Sequence, residues 1–121
     1  MAILPLSKAI DEFENDIDQL KKIYEFSNEK ETRNFIMQNI YLVDILKEAP
    51  NHIYRIFGNN IKLVLELHTD PEEDWEELFI VIKSSYPAQK AVELERKLFV
   101  EWFSYIMDKV NDKLNFTEEP L

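Results

Sequence analysis

HIYRIFGNNIKLVLELHTDPEEDWEELFIVIK, residues 52–83, decides the fold class. Before it, apolar residues recur every three or four positions. Within it, HIYRIF, IKLVLEL and LFIVIK are short runs rich in isoleucine, valine, leucine and aromatics, with a period near two. That period marks strands. The change follows Pro50, which steers its predecessor Ala49 out of the helical region. The stretch therefore predicts a three-stranded antiparallel meander. Gly58, Asn59 and Asn60 supply the positive φ that a tight hairpin turn requires. A two-residue and a three-residue loop put opposite faces of the first strand against Ile61, Leu63, Leu65 and Leu67, so the register stays open. Those four residues are expected to face the core, with Lys62, Val64, Glu66 and His68 on a mostly polar opposite face.

The second connection is acidic. Asp70, Pro71, Glu72 and Glu73 match a helix start: a capping aspartate, proline at the first position and a glutamate that reaches back. Asp74, Trp75, Glu76 and Glu77 are expected to continue that turn before Leu78 begins the next strand. A calcium loop is excluded, because the alternating acids and the bend glycine of an EF-hand are missing. The acids not used in capping, Glu72, Asp74, Glu76 and Glu77, are the candidates for a face that a basic protein recognises.

Glu66, His68 and Asp70 are spaced by two, and a glutamate, a histidine and an aspartate on one strand face can bind a divalent cation. No HExxH helix supports such a site, and the other histidine, His52, opens the first strand. Ser84, Ser85 and Ser104 lack the context of a catalytic nucleophile, and Ser84 and Ser85 suit a helix cap. The expectation is no catalytic residue, no metal and no cofactor.

Upstream, Ile3, Leu6, Ile10, Phe13, Ile17, Leu20 and Tyr24 form a seam of alternating three- and four-residue steps, which predicts a long amphipathic helix. Pro5 and Ser7 suit its first turn. Acids fill its first half and Lys21 and Lys22 its end, matching the helix dipole. Asn28 and Glu31 have the spacing of a capping box. They predict a second helix from Glu29 to Lys47 that buries Phe35, Ile36, Ile40, Val43 and Leu46 and completes a helical hairpin.

Downstream, residues 84–114 return to helical spacing. Leu94, Leu98, Trp102 and Ile106 share one face, with Val92, Phe99, Phe103 and Val110 on the next. A helix of about 26 residues would be roughly 39 Å long, against a domain diameter of about 35 Å. It is expected to pack on the sheet and to project in part into a homodimer, with Trp102 as an aromatic anchor for a partner. NFTEEPL reads as a loose end.

Composition bounds the rest. The chain has 121 residues, of which 45% are hydrophobic and 31% charged, as in a single globular α+β domain spanning residues 1–121. One glycine cannot build phosphate-cradling loops. A net charge of -10, with 14 basic residues against 24 acidic, argues against nucleic acid, and it fits either a basic protein partner or, more commonly, solubility through self-repulsion. Cysteine is absent. No apolar run approaches the ~20 residues of a membrane span, and no leader is evident at the start. The expectation is a soluble cytoplasmic protein without membrane contact.

LVLELHTDPEEDWEELFIVIKS followed by ELERKLFVEWF resembles a group of short uncharacterised prokaryotic α+β proteins that accompany toxin-like nucleases. The resemblance covers roughly residues 62–103, and the N-terminal helical hairpin departs from the shorter members. It implies a non-catalytic partner or antitoxin role and assigns no functional residues. Two function classes follow. One is an acidic interaction domain of the antitoxin, immunity or regulatory-subunit kind. The other is a small enzyme or ligand-binding protein with a pocket between the sheet and the last helix, lined by Trp102 or Tyr54.

Overall fold

The structure, a computed structural model, describes residues 6–121. The expectations placed on Ile3 and Pro5 lie outside the described residues. The elements are α1 (Leu6–Ile23), β1 (Glu25–Phe26), α2 (Glu29–Gln38), α3 (Leu42–Phe57), β2 (Lys62–Asp70), β3 (Trp75–Ser84), α4 (Ala88–Glu101), a 3-10 turn (Phe103–Tyr105), α5 (Met107–Val110) and β4 (Leu114–Pro120).

The seam of α1 buries Phe13, Ile17 and Leu20, and Tyr24 follows them into the core. The capping box at Asn28 does not form. Asn28 takes the left-handed conformation, φ 51°, and its side chain makes no cap. Thr32 closes the turn instead, its Oγ1 donating to the Ser27 carbonyl at 2.7 Å. The helix expected over 29–47 divides in two. Asn39 ends α2 by donating its Nδ2 to the Phe35 carbonyl at 2.9 Å, and Leu42 opens α3. Ile40, in the link, is therefore exposed, while Phe35, Ile36, Val43 and Leu46 are buried.

The antiparallel meander is corrected at both ends. HIYRIF is no strand: α3 runs through Pro50 to Phe57. Its buried residues, Leu42, Val43, Leu46, Ala49, Pro50, Ile53 and Phe57, keep one helical stripe across the proline. Proline lacks the amide that would bond to the Leu46 carbonyl, but Tyr24 Oη donates to that carbonyl at 2.7 Å. The orphaned acceptor is thus satisfied by another helix's end, and α3 need not break. Gly58 ends α3 at φ 80°, ψ -178°, a region open essentially to glycine alone.

The C-terminal tail is no loose end but strand β4. The sheet is mixed and four-stranded, in the order β1-β2-β3-β4. The central β2–β3 pair is antiparallel, and β1 and β4 lie parallel to their neighbours. Parallel pairing needs crossovers: α2 and α3 connect β1 to β2, and α4 and α5 connect β3 to β4. The ladder pairs Leu63 with Ile82, Leu65 with Ile80 and Leu67 with Leu78. These side chains, with Leu114 and Phe116, meet the helices in one core.

The long last helix is also corrected. It stops at Glu101, where Trp102 turns out of the helical region at φ -138°, ψ -65°. Trp102 and Phe103 are adjacent in sequence, yet both are buried, with ring centroids 5.6 Å apart and rings edge to face. A continuous helix sends neighbours 100° apart, so leaving it is what lets both rings enter the core. Asn111 and Asp112, both at positive φ, then deliver the chain into β4. The helix that was to project into a second copy does not form.

Candidate functional site

The hairpin end between β2 and β3 carries the acids that the sequence singles out. Asp70 closes the ladder opposite Trp75, and its Oδ1 accepts the amides of Glu72 at 3.0 Å and Glu73 at 3.4 Å. Pro71 has no amide to satisfy. Asp74 takes φ 51° and returns the chain to β3. The capping part of the sequence reading describes this turn. Its continuation does not, because Trp75, Glu76 and Glu77 already belong to β3.

Strand alternation then separates Glu76 from Glu77. Glu76 lies opposite Thr69 and lines a cleft of about 180 Å³ with Glu31, Asn34, Phe35 and Gln38 of α2 and with Leu67. Glu77 lies opposite His68, on the other face. The structure thus brings Glu72, Asp74 and Glu76 to one end of the molecule and puts Glu77 around the edge of that group. Trp102 is not among them. It is buried, stacked on His52 with centroids 5.2 Å apart.

His68 sits over Phe79, centroids 4.2 Å apart, with its Nε2 3.0 Å from Glu66 Oε1. Asp70 is engaged by the turn amides, so only two of the three spaced residues meet. Among the described residues, no three histidine, cysteine or acidic side chains group closely enough to hold a metal ion.

Two carboxyls are held above their ordinary range. Burial raises Glu77, the Asp112 carboxylate raises it further, and His68 offsets part of the effect. Both acids line a cleft of about 170 Å³ floored by Phe99, Phe103 and Leu114. Burial likewise raises Glu95 on α4, which faces Glu118 on β4. Tyr54 borders a separate cleft of about 340 Å³, between α1, β1 and β2, with Lys21, Lys22 and Lys62 around it. Neither Trp102 nor Tyr54 lines the cleft beside α4 and β4.

Some acids elsewhere on the surface have cationic partners, Asp16 with Lys47 at 2.6 Å, Glu25 with Lys62 at 3.1 Å, Glu14 with Arg33 and Glu29 with Lys21, while scattered ones such as Asp44, Glu48 and Glu119 pair with no cation among the described residues. Among the described residues, Glu72, Glu73, Asp74, Glu76 and Glu77 form no ion pair. Of the face expected at Glu72, Asp74, Glu76 and Glu77, the fold gathers the first three and turns Glu77 to the other side of the sheet. The cleft beside that group was missed, because α2 reaches the hairpin only through the fold. Among the described residues, no helix is long and apolar enough to cross a membrane. No protein-family model, curated protein or solved structure matches the chain.

Proposed function

We propose that the chain is a non-enzymatic acidic interaction domain that binds a basic protein partner, in the manner of an antitoxin, an immunity protein or a regulatory subunit. The observation that supports this is the hairpin end, where Glu72, Glu73, Asp74 and Glu76 cluster without a cationic partner among the described residues and Glu77 lies around the edge. Like charges crowded on one turn repel, and a basic surface relieves that repulsion on contact. The same field speeds the encounter and weakens as salt screens it.

Immobilised wild-type chain and a Glu72→Lys/Asp74→Lys/Glu76→Lys variant test the reading side by side in low-salt lysate. The expected result is a basic protein retained by the wild type, released by salt and absent from the variant. Retention of nothing, or of the same proteins by both, overturns it.

A further inference from the structure

The sheet has two edges, and the chain treats them differently. At β4 the Leu78 amide bonds to the Lys113 carbonyl and the Leu121 amide to the Ser84 carbonyl, each through an odd-numbered residue of that strand run. The amides of Phe116 and Glu118 therefore face outward, as does the position of Pro120. Phe116 N–H donates to Asn115 Oδ1 at 2.9 Å. Pro120 has no N–H, and Glu95 of α4 faces Glu118. An incoming strand finds no free donor at Phe116 or Pro120 and meets acids at Glu118, and proline and charge are means by which proteins blunt an edge.

The opposite edge is left open. The last rung between β1 and β2 is the Ser27 amide on the Leu65 carbonyl, 2.9 Å. Asn28, left-handed, then turns the chain away into α2. β2 continues to Asp70 with β3 on its other side. Leu65 faces β1, so by alternation the backbone groups of Leu67 and Thr69 face the same side, beyond the point where β1 stops. The cleft between α2 and the hairpin adjoins this stretch. Phe35 and Leu67 supply its apolar surface, and Glu31 and Glu76 its charge.

We propose that β2 at Leu67 and Thr69 is a strand-addition site for an extended basic segment of a partner, with one lysine or arginine side chain entering the cleft. The proposal rests on the reading of the chain as an acidic interaction domain. Added strands point alternate side chains to opposite faces, so one row meets the cleft. There an aliphatic stem lies along Phe35 and Leu67 while its cation reaches Glu31 or Glu76. Charge selects this occupant over a second copy. A copy paired antiparallel about His68 would set Glu66 of each chain opposite Asp70 of the other, and like charges opposite one another in a sheet repel.

The test uses the isotope-labelled full chain and two short synthetic peptides at low salt: one alternating lysine with valine, the other the same sequence with every backbone amide N-methylated. The two match in charge and side chains, but the second has no amide hydrogen to donate to a strand ladder. The first is expected to slow hydrogen exchange at the Leu67 and Thr69 amides and to bind about tenfold more tightly than the second. Glu31→Gln/Glu76→Gln is expected to weaken it severalfold with the circular dichroism spectrum unchanged. Equal affinity for both peptides, or binding without slowed exchange at Leu67 and Thr69, overturns strand addition and leaves the acidic-partner reading standing. Failure of both peptides to bind also overturns the inference, and the lysate comparison then judges the broader reading alone.

Discussion

The Tyr24 hydroxyl donates to the Leu46 carbonyl at 2.7 Å, the carbonyl that Pro50 leaves without its amide partner four residues on. Both the hydroxyl and its surroundings are buried, and burial holds the phenol well above its ordinary pKa. Tyr24→Phe strands a buried acceptor and is expected to cost about 1–3 kcal/mol in urea unfolding. In a Pro50→Ala background the restored amide takes over that acceptor, so the same change is expected to cost about 1 kcal/mol less. Equal costs in the two backgrounds would show that the two residues are not coupled.

Gly58 is held at φ 80°, ψ -178° between α3 and β2. A Cβ there would meet only the Tyr86 hydroxyl, at 3.7 Å, so crowding is slight. Gly58→Ala is nevertheless expected to destabilise by about 1–3 kcal/mol, because the backbone region excludes side chains. Thermal and urea unfolding both measure it.

Stopping the chain after Lys113 removes β4, and with it Leu114 and Phe116 from the core and the outer ladder of β3. The shortened protein is expected to lose cooperative unfolding by circular dichroism. A loose tail would leave the transition unchanged.

Glu77 and Glu95 both have folded pKa values raised above the ordinary 4.5. Such a carboxyl holds its proton more tightly when folded, so its stabilising contribution is present at low pH and lost as pH rises above about 4.5 through the folded value. Glu77→Gln/Glu95→Gln is expected to flatten that decline. At pH 7 it should raise stability by about half a kcal/mol or less, since both groups are partly solvated and screened. Denaturant midpoints from pH 4 to 8 measure the slope, and a steeper decline in the variant would refute the assignment.

The acidic turn and the two core strands around it were legible because their signals are local: Asp70 caps amides two and three residues away, and β2 and β3 alternate from a short connection. HIYRIF reads as a strand because it is a short run rich in isoleucine and aromatics, yet its buried Ile53 and Phe57 are four apart and fit a helix. What reconciles Pro50 with that helix is the Tyr24 hydroxyl on the Leu46 carbonyl, far away in sequence. β4 was missed for a related reason. Its alternation, Leu114, Phe116 against Asn115, Thr117, is short and weak, and parallel pairing gives it no turn signal. The break at Trp102 follows from two adjacent rings both needing the core, which helical spacing alone does not reveal. Glu76 and Glu77, neighbours in the sequence, sit on opposite faces because they lie in a strand and not in the turn.

The asymmetry of the sheet's margins bears on self-assembly. Fibres grow when each added unit presents a fresh template, and that requires two receptive sides. With Asn115 and Pro120 blunting the β4 side, the chain itself presents one receptive margin, along Leu67 and Thr69. Copies of this chain alone then have no second margin through which an open-ended sheet could propagate.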